Sequence, residues 1–499
     1  MNAFSRRGAC PALSAPMQTG DGLLVRLNPV TGGLAPKSLI GLCESALRHG
    51  NGILEVTARG SLQIRGLTLE SARLLAVEVD ALGIEVRTGV PIETGPLAGL
   101  DLQEIADPRP LAEHIRLAID EAGLTQRLGP KVSVIVDGGG QLAMDAVTAD
   151  VRLTAIRTDE GVRWLVAVAG DRQNATPLVM VEEDAARDIA VAVLRMVAEK
   201  GREAHARDLT ERQLTSLASW HSVPPPSVLP DISPARGEIG SSDAVACPAT
   251  LVVGESRDES SISPLAGEMS GRTEGGAQDR LPLKLSEPIP SPIGPFPLAS
   301  DITALGIGLP FGSMPAQGLI DLAKQASELG STEIRLAPGR ALLFLGLSPS
   351  DCSSLQNTAA ALGFVTSPAD PRTRIAACPG APACASGRIA TRDIAETIAA
   401  ENSDILDASL TLHISGCAKG CAHPGSAAIT LVGGENGAGL VVNGTAKALP
   451  AGYRPGYDAA RGVSRVAAAL RSARHSGETA AACLARLGAA GVTEAYRQE

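Results

Sequence analysis

The sequence predicts an internally duplicated α+β protein, with two small α+β units and two α/β lobes related by a pseudo-twofold axis. Three observations carry this. A strand, helix and strand-pair pattern near the N-terminus is written again in the second half of the chain. A longer helix-and-strand pattern that follows it is also repeated. Only the second copy of that longer pattern carries paired cysteines, set in loops of Gly, Pro and Ala. A repeat this long implies two like lobes with a cleft between them.

The first small unit is expected over residues 17–85. GLLVRL is a short apolar run, PKSLIGLCESALRHG has helical spacing, and GILEVTARGSLQIRGL reads as two strands with a turn around Gly60. Pro36 near the helix start and Gly50 past its end follow the usual asymmetry of helix termini. A second helix, LESARLLAVEVDALG, completes the unit. Residues 301–368 repeat it as ALGIGLPFGSMPAQGLIDLAKQASELGSTEIRLAPGRALLFLGL and a helix from near Ser348.

The first lobe is expected over 86–220 and the second over 369–499. KVSVIVDGGGQLAMDAVTADVRLTAI in one parallels LTLHISGCAKGCAHPGSAAITLVG in the other, and each lobe carries an Ala/Val-rich helix after its strands. The turns DGGG (137–140) and GGENGAG (433–439) read as hairpin-like. Neither G-x-G-x-x-G after a strand nor G-x4-G-K-[ST] occurs, which argues against a nucleotide cradle. Between the copies, residues 221–300 are rich in Pro, Ser, Gly and charge without periodicity. They read as a disordered linker or insertion.

Composition sets outer bounds. With 499 residues, 44% hydrophobic and 20% charged, the chain is an ordinary globular sequence large enough for several cores. Aromatics are 2%, so the cores must be aliphatic and base-stacking platforms are lacking. A net charge of −10 disfavours nucleic acid. Arg6 and Arg7 precede no apolar core of an export signal, and no long uncharged apolar run suggests a membrane span. A soluble, cytoplasmic protein is expected.

Four of the nine cysteines fall within Arg374–Gly425, as Cys378-x5-Cys384 and Cys417-x3-Cys421. Small neighbours let the backbone approach whatever the sulfurs hold. Four thiolates are the usual ligands of an iron–sulfur cluster. The rival readings are structural zinc, disulfides and inert buried thiols. Zinc knuckles favour shorter spacings than x5, and disulfides are disfavoured in a reducing compartment. Cys43 and Cys352 read as core or surface thiols, and Cys10 and Cys247 as free thiols without a role.

C-x5-C followed by C-x3-C in a GC-x2-GC loop resembles the signature of the sulfite/nitrite reductase superfamily. The wording ACPGAPAC and SGCAKGCAHPG, with the opening RRGACPALSAPMQTGDGLLVRL, is closer to its precorrin-3B synthase branch. The resemblance covers nearly all the chain outside the middle. It implies two ferredoxin-like half-domains, and a [4Fe–4S] cluster held by Cys378, Cys384, Cys417 and Cys421. For this branch it implies a mononuclear non-haem iron as a second metal and no sirohaem. It further implies precorrin-3A as tetrapyrrole substrate, oxygenated at C20 by O2 with lactone closure in aerobic cobalamin synthesis. An external electron donor, an NAD(P)H-dependent reductase, is also expected.

Several side chains are candidates on this footing. Thr57, Arg59, Gln63 and Arg65 alternate so as to share one strand face if no bulge intervenes. A row of arginine forks suits a polycarboxylated ligand, although a solvated strand face is the plain alternative. The run resembles the superfamily's T-x-R-x3-Q segment, which implies substrate contact by Arg59 and Gln63, with Arg65 and Arg26 less strongly indicated. Lys131 resembles the first lysine of the reductases' P-R-K-x-K anion site, but the second falls on Ser133. A further reductase arginine falls on Val90, with Arg87 only nearby. Reducing a small anion needs dense positive charge, so these departures favour the precorrin branch. His413, His423 and Lys419 flank the last cysteine pair as candidates for catalysis, iron ligation or contact with a substrate carboxylate. A packed, turn-capping histidine is the alternative. A sirohaem reductase and a non-catalytic electron carrier or tetrapyrrole-binding scaffold remain the rival functions.

Overall fold

The computed structural model describes residues 11–30, 33–221, 290–298 and 301–498. The expected linker therefore lies mostly outside the described residues, as do Cys10 and Cys247. The duplication is present as two pairs of five-stranded sheets.

The two small units are built on the strand pairs Ile53–Val56 with Leu62–Leu67 and Glu333–Ala337 with Ala341–Leu347. They exchange edge strands reciprocally. Ser313–Pro315 of the second pairs antiparallel with Ile53–Val56 of the first, and Gly33–Leu34 of the first pairs with Glu333–Ala337 of the second. Each exchange covers an edge that would otherwise expose unpaired backbone groups. Helices Pro36–His49 and Ala316–Glu328 pack on one another across the join, so both units share one core that includes Leu39, Leu42, Leu322 and Phe344. That core is mostly aliphatic, with Phe344 and Phe364 as its aromatic members, in line with the 2% aromatic content.

This joint core has a measurable consequence. Leu39 is 1% exposed at the helix–helix contact, so Leu39→Ala should destabilise the paired units by about 2–5 kcal/mol through lost burial and an incompletely filled cavity. A lowered denaturant midpoint for both units together is the expected result. A loss confined to the first unit would contradict the shared core.

The two lobes have the same strand order. In the first, Ile92–Thr94, Val134–Asp137 and Ala149–Thr158 are parallel, and Gly161–Gly170 and Thr176–Val181 continue antiparallel. In the second, Ile375–Ala377, Leu412–Ser415 and Ala427–Gly434 are parallel, and Gly437–Gly444 and Gly452–Arg454 continue antiparallel. Helices Arg109–Glu121 and Glu183–Lys200 cover one face of the first sheet, and Thr391–Glu401, Ala459–Ala473 and Ala480–Arg497 cover one face of the second.

Two expectations are corrected. Residues 433–439 do form a hairpin, closing at Gly434 and Gly437. Residues 137–140 do not: they leave a strand whose next neighbour is parallel, so the glycines begin a crossing connection. The Gly-rich signal is the same in both, and only the strand direction separates them. The strand Gly294–Pro297 also lies inside the stretch read as linker. It is an edge strand on Thr303–Gly308, where two prolines are tolerated because one side needs no ladder bonds.

Candidate iron–sulfur centre and tetrapyrrole site

Cys378 follows the strand Ile375–Ala377, and Cys417 follows Leu412–Ser415. These strands are parallel neighbours, so both cysteine loops leave the same end of the sheet. That register brings together pairs far apart in sequence. The Gly416 amide donates to Cys378 Sγ at 3.2 Å, and Arg388 N donates to Gly416 O at 2.8 Å, which locks one loop on the other. Thr391, first in its helix, donates from its hydroxyl to Cys378 O. Gly380 lies at φ 63°, where a Cβ would stand 2.4 Å from the Thr391 hydroxyl, so only glycine fits.

Burial first, then the nearby Cys378, Cys417 and Cys384, push the Cys421 thiol above its usual range. The other three sulfurs therefore each lie within electrostatic reach of Cys421. Among the described residues, no three His, Cys, Asp or Glu side chains converge as a single-ion site. The four-thiol set suits a cluster bound at several corners better than a tetrahedral zinc.

The first lobe shows what happens without these ligands. Gly95–Asp101 has the spacing of Cys378–Cys384, and Asp101 stands where Cys384 would. Its carboxylate accepts from Gln141 N at 2.6 Å and Gln141 Nε2 at 3.0 Å, so the two loops are stapled directly. In the same loop, burial above all raises the Glu104 carboxyl to about 7, against an ordinary 4.5. With its folded value raised, Glu104 holds its proton in the native state after the unfolded chain has released it. Stability should fall as pH rises from 4.5 to about 7. Glu104→Gln should flatten that fall in thermal melts across the window.

The predicted site residues divide into three groups. The strand Ile53–Val56 ends before Thr57, and Thr57–Ser61 is a tight turn closed by Thr57 N donating to Ser61 O at 2.9 Å. This corrects the single-face row: Arg59 sits at the hairpin tip, while Gln63 and Arg65 share a strand face. Arg59 reaches the first lobe, bonding Thr148 O at 2.7 Å, Glu93 at 2.9 Å and the Ser133 hydroxyl at 3.2 Å. Lys131 is exposed just before Val134–Asp137.

Gln63 and Arg65 join a buried ionic lattice beneath the second lobe. With its amide turned, Gln63 donates to Glu55 at 3.0 Å and accepts from Arg26 Nη2 at 2.6 Å. Arg65 bonds Asp21 twice at 3.0 Å and donates to Ala383 O, beside Cys384, at 2.5 Å. Glu55, 4% exposed, takes Arg392 at 2.5 Å and Arg65 at 3.5 Å. Arg65 thus ties the half-domain sheet to the cysteine loop. Sequence periodicity signals neither Glu55 nor Arg392, since each acquires its place only from a distant partner.

The third group surrounds the second cysteine pair. His413 is fully buried, and neither ring nitrogen has a partner. Burial, with His423 and Arg340 adding repulsion, lowers it to about 4, so it is neutral at physiological pH. Its ring lies edge-on to His423 at 5.7 Å between centroids. His423 contacts Ser426 O at 3.1 Å, and Lys419 donates to the Ser386 hydroxyl at 2.8 Å, bridging the two cysteine loops. Arg340, not foreseen, turns in from the repeated hairpin to hold Ala422 O at 2.9 Å.

Comparisons with known proteins agree with this architecture. Residues 15–81 match the family described as the nitrite/sulfite reductase ferredoxin-like half domain. A solved structure of the Mycobacterium tuberculosis NirA protein is similar with a TM-score of 0.66 at 19% identity, covering 93% of this chain and 83% of that one, which bears out the duplicated fold. A ferredoxin–nitrite reductase from Synechococcus elongatus is 24% identical over 87% of this chain and 81% of its own length. A precorrin-3B synthase from Sinorhizobium is 37% identical over 99% of this chain and 96% of its own length. No helix among the described residues is long and apolar enough to cross a membrane. With four thiols on one edge, a duplicated reductase-type fold and this end-to-end similarity, the chain is an enzyme of the precorrin-3B synthase family.

Proposed function

We propose that the protein is a precorrin-3B synthase acting on precorrin-3A in aerobic cobalamin synthesis. The end-to-end similarity to a protein of that name carries the reading, supported by the four-thiol edge. One atom of O2 enters at the C20 meso carbon and a ring A acetate closes a lactone; the other atom leaves as water. Two electrons come from an external donor, which we take to be an NAD(P)H-dependent reductase. The setting is cytoplasmic, and no sirohaem is needed.

Cys378, Cys384, Cys417 and Cys421 would hold a [4Fe–4S] cluster, which when bound supplies one-electron transfer between the donor and the pocket. The chain's own residues bind and orient. Arg59 and Lys131 offer cations to substrate carboxylates, and Arg26 and Gln63 form a pre-set polar face whose geometry Glu55 holds. Neutral, buried His413 can offer either ring nitrogen as donor or acceptor without adding charge. Lys419 braces the cysteine loops. A mononuclear iron would need a ligand set that the described residues do not group, so no step is assigned to it.

Absorption and EPR spectra of protein purified without oxygen, with iron and sulfide counted, come first. A [4Fe–4S] signal without a sirohaem band, followed by O2-dependent conversion of precorrin-3A, is the expected result. A sirohaem band with turnover of sulfite or nitrite would replace this reading with the reductase. Tetrapyrrole binding without turnover would leave a scaffold.

A further inference from the structure

A cavity of about 670 Å³ lies on the first lobe's sheet, on the face away from its helices. Its floor is Thr154 and Ile156 from one strand, Leu165 and Ala167 from the next, and Pro177 from the edge strand. The alternate residues Leu153, Trp164 and Val166 point the other way, into the helix-covered core. The repeat explains the cavity. Registering the two lobes strand by strand matches Thr154 to Val432, Leu165 to Gly439 and Ala167 to Val441. In the second lobe the last two strands are joined by seven residues, 445–451, which fold over that face. Ala446 packs there with Val432 and Val441, and a Cβ at Gly439 would stand 2.7 Å from Pro450. The first lobe has five residues, 171–175, in that connection. They turn on themselves, with Asp171 accepting from Asn174 N at 2.9 Å, and Arg172 and Gln173 only rim the cavity.

One end of this apolar floor is polar. Arg152, two residues before Thr154 on the same strand face, lines the cavity and is 3% exposed. Its Nη2 donates to Met144 O at 3.0 Å and to Val147 O. Its Nε and Nη1 are buried without a hydrogen-bond partner, the nearest carboxylate oxygen, on Asp137, standing 3.9 Å from Nη1. Buried donors left unmade are costly. The deficit is of acceptors and not of negative charge. Arg152 and the rim's Arg172 are set against Asp137, Asp145 and Asp171, and Arg172 pairs with Asp145 at 2.8 Å. A carboxylate would therefore bring a charge that this corner already balances. A carbonyl oxygen would satisfy a donor and leave the balance alone. The volume is that of a small-molecule site.

We propose that this cavity binds a neutral, largely apolar small molecule whose carbonyl oxygen accepts from Arg152. The site goes beyond the function proposed above and is tested without turnover. Calorimetric titration of the cluster-loaded protein would use a matched pair of probes, 2-naphthamide and 2-naphthoate, which share a body and differ in charge. Two variants separate the donor from the space. Arg152→Met removes the donors, and Thr154→Phe fills the floor without altering any charge. Saturable binding of the amide, weakened about tenfold or more by each variant, is the expected result. The carboxylate should bind wild type at least about tenfold more weakly than the amide. Should Arg152→Met fail to fold, because it frees Met144 O and Val147 O, Thr154→Phe and the matched probes still decide. Amide binding equal in wild type and Thr154→Phe, no saturable binding of the amide, or tighter binding of the carboxylate would each overturn the proposal. The cluster's absorption should stay unchanged in Thr154→Phe, which keeps this result distinct from failure of the cluster assignment.

Discussion

Cys384→Ser should leave a protein without its cluster and with activity at least 100-fold down. Cys384 lies on the loop that Arg65 holds through Ala383 O, so it is both ligand and link to the half-domain sheet. Serine keeps the size but is a poor ligand for the iron of such clusters, where thiolate is the usual donor. Iron and sulfide counts on anaerobically purified variant, with the visible charge-transfer band, give the answer. By contrast, Cys43→Ser should retain the full iron complement. That cysteine is fully buried in the helix Pro36–His49, and burial above all pushes its thiol up to about 12, well away from reactive thiolate chemistry. A Cys384→Ser protein with four irons would remove the cluster assignment.

Glu55→Gln should cost about 3–5 kcal/mol, the scale seen when one partner of a buried ion pair is removed. Arg65 and Arg392 would keep their charges and lose the carboxylate between them. Because the chain has several cores, the readout is the denaturant midpoint of the transition that reports the half-domain and the cluster lobe together, not a global two-state value. The pairing with Arg392 is tested by a double-mutant cycle with Arg392→Gln, in which the double variant should lose less than the sum of the single losses. Additive losses would mean the two side chains act independently. The variant should also bind a polycarboxylated tetrapyrrole more weakly, because the one acceptor oxygen left on the amide cannot serve both Arg392 and Gln63, which loosens the hold of Gln63 on Arg26.

Much of this molecule is local in origin. The alternation of GLLVRL, the helical spacing of PKSLIGLCESALRHG and the repeated hairpins are properties of neighbouring residues, so the α+β class and the duplication are legible without coordinates. The cysteine spacing also declares its chemistry locally, since each pair sits in its own tight loop. Other features depend on which segment lies beside which. The reciprocal exchange of Gly33–Leu34 and Ser313–Pro315 involves runs too short to show periodicity. Arg59 and Arg65 look alike on paper, but a turn at Thr57–Ser61 sends one to the first lobe and leaves the other under the cysteine loop. DGGG and GGENGAG share composition and differ in strand direction.

Sequence by itself determined the class, the repeat and the four thiols, because periodicity and ligand spacing are set within a few residues. Tertiary structure alone decided that Glu55 joins Arg65 to Arg392 and that Asp101 staples the lobe lacking cysteines. Each depends on the free energy of a buried charge, and that energy exists only once distant segments have excluded water around it.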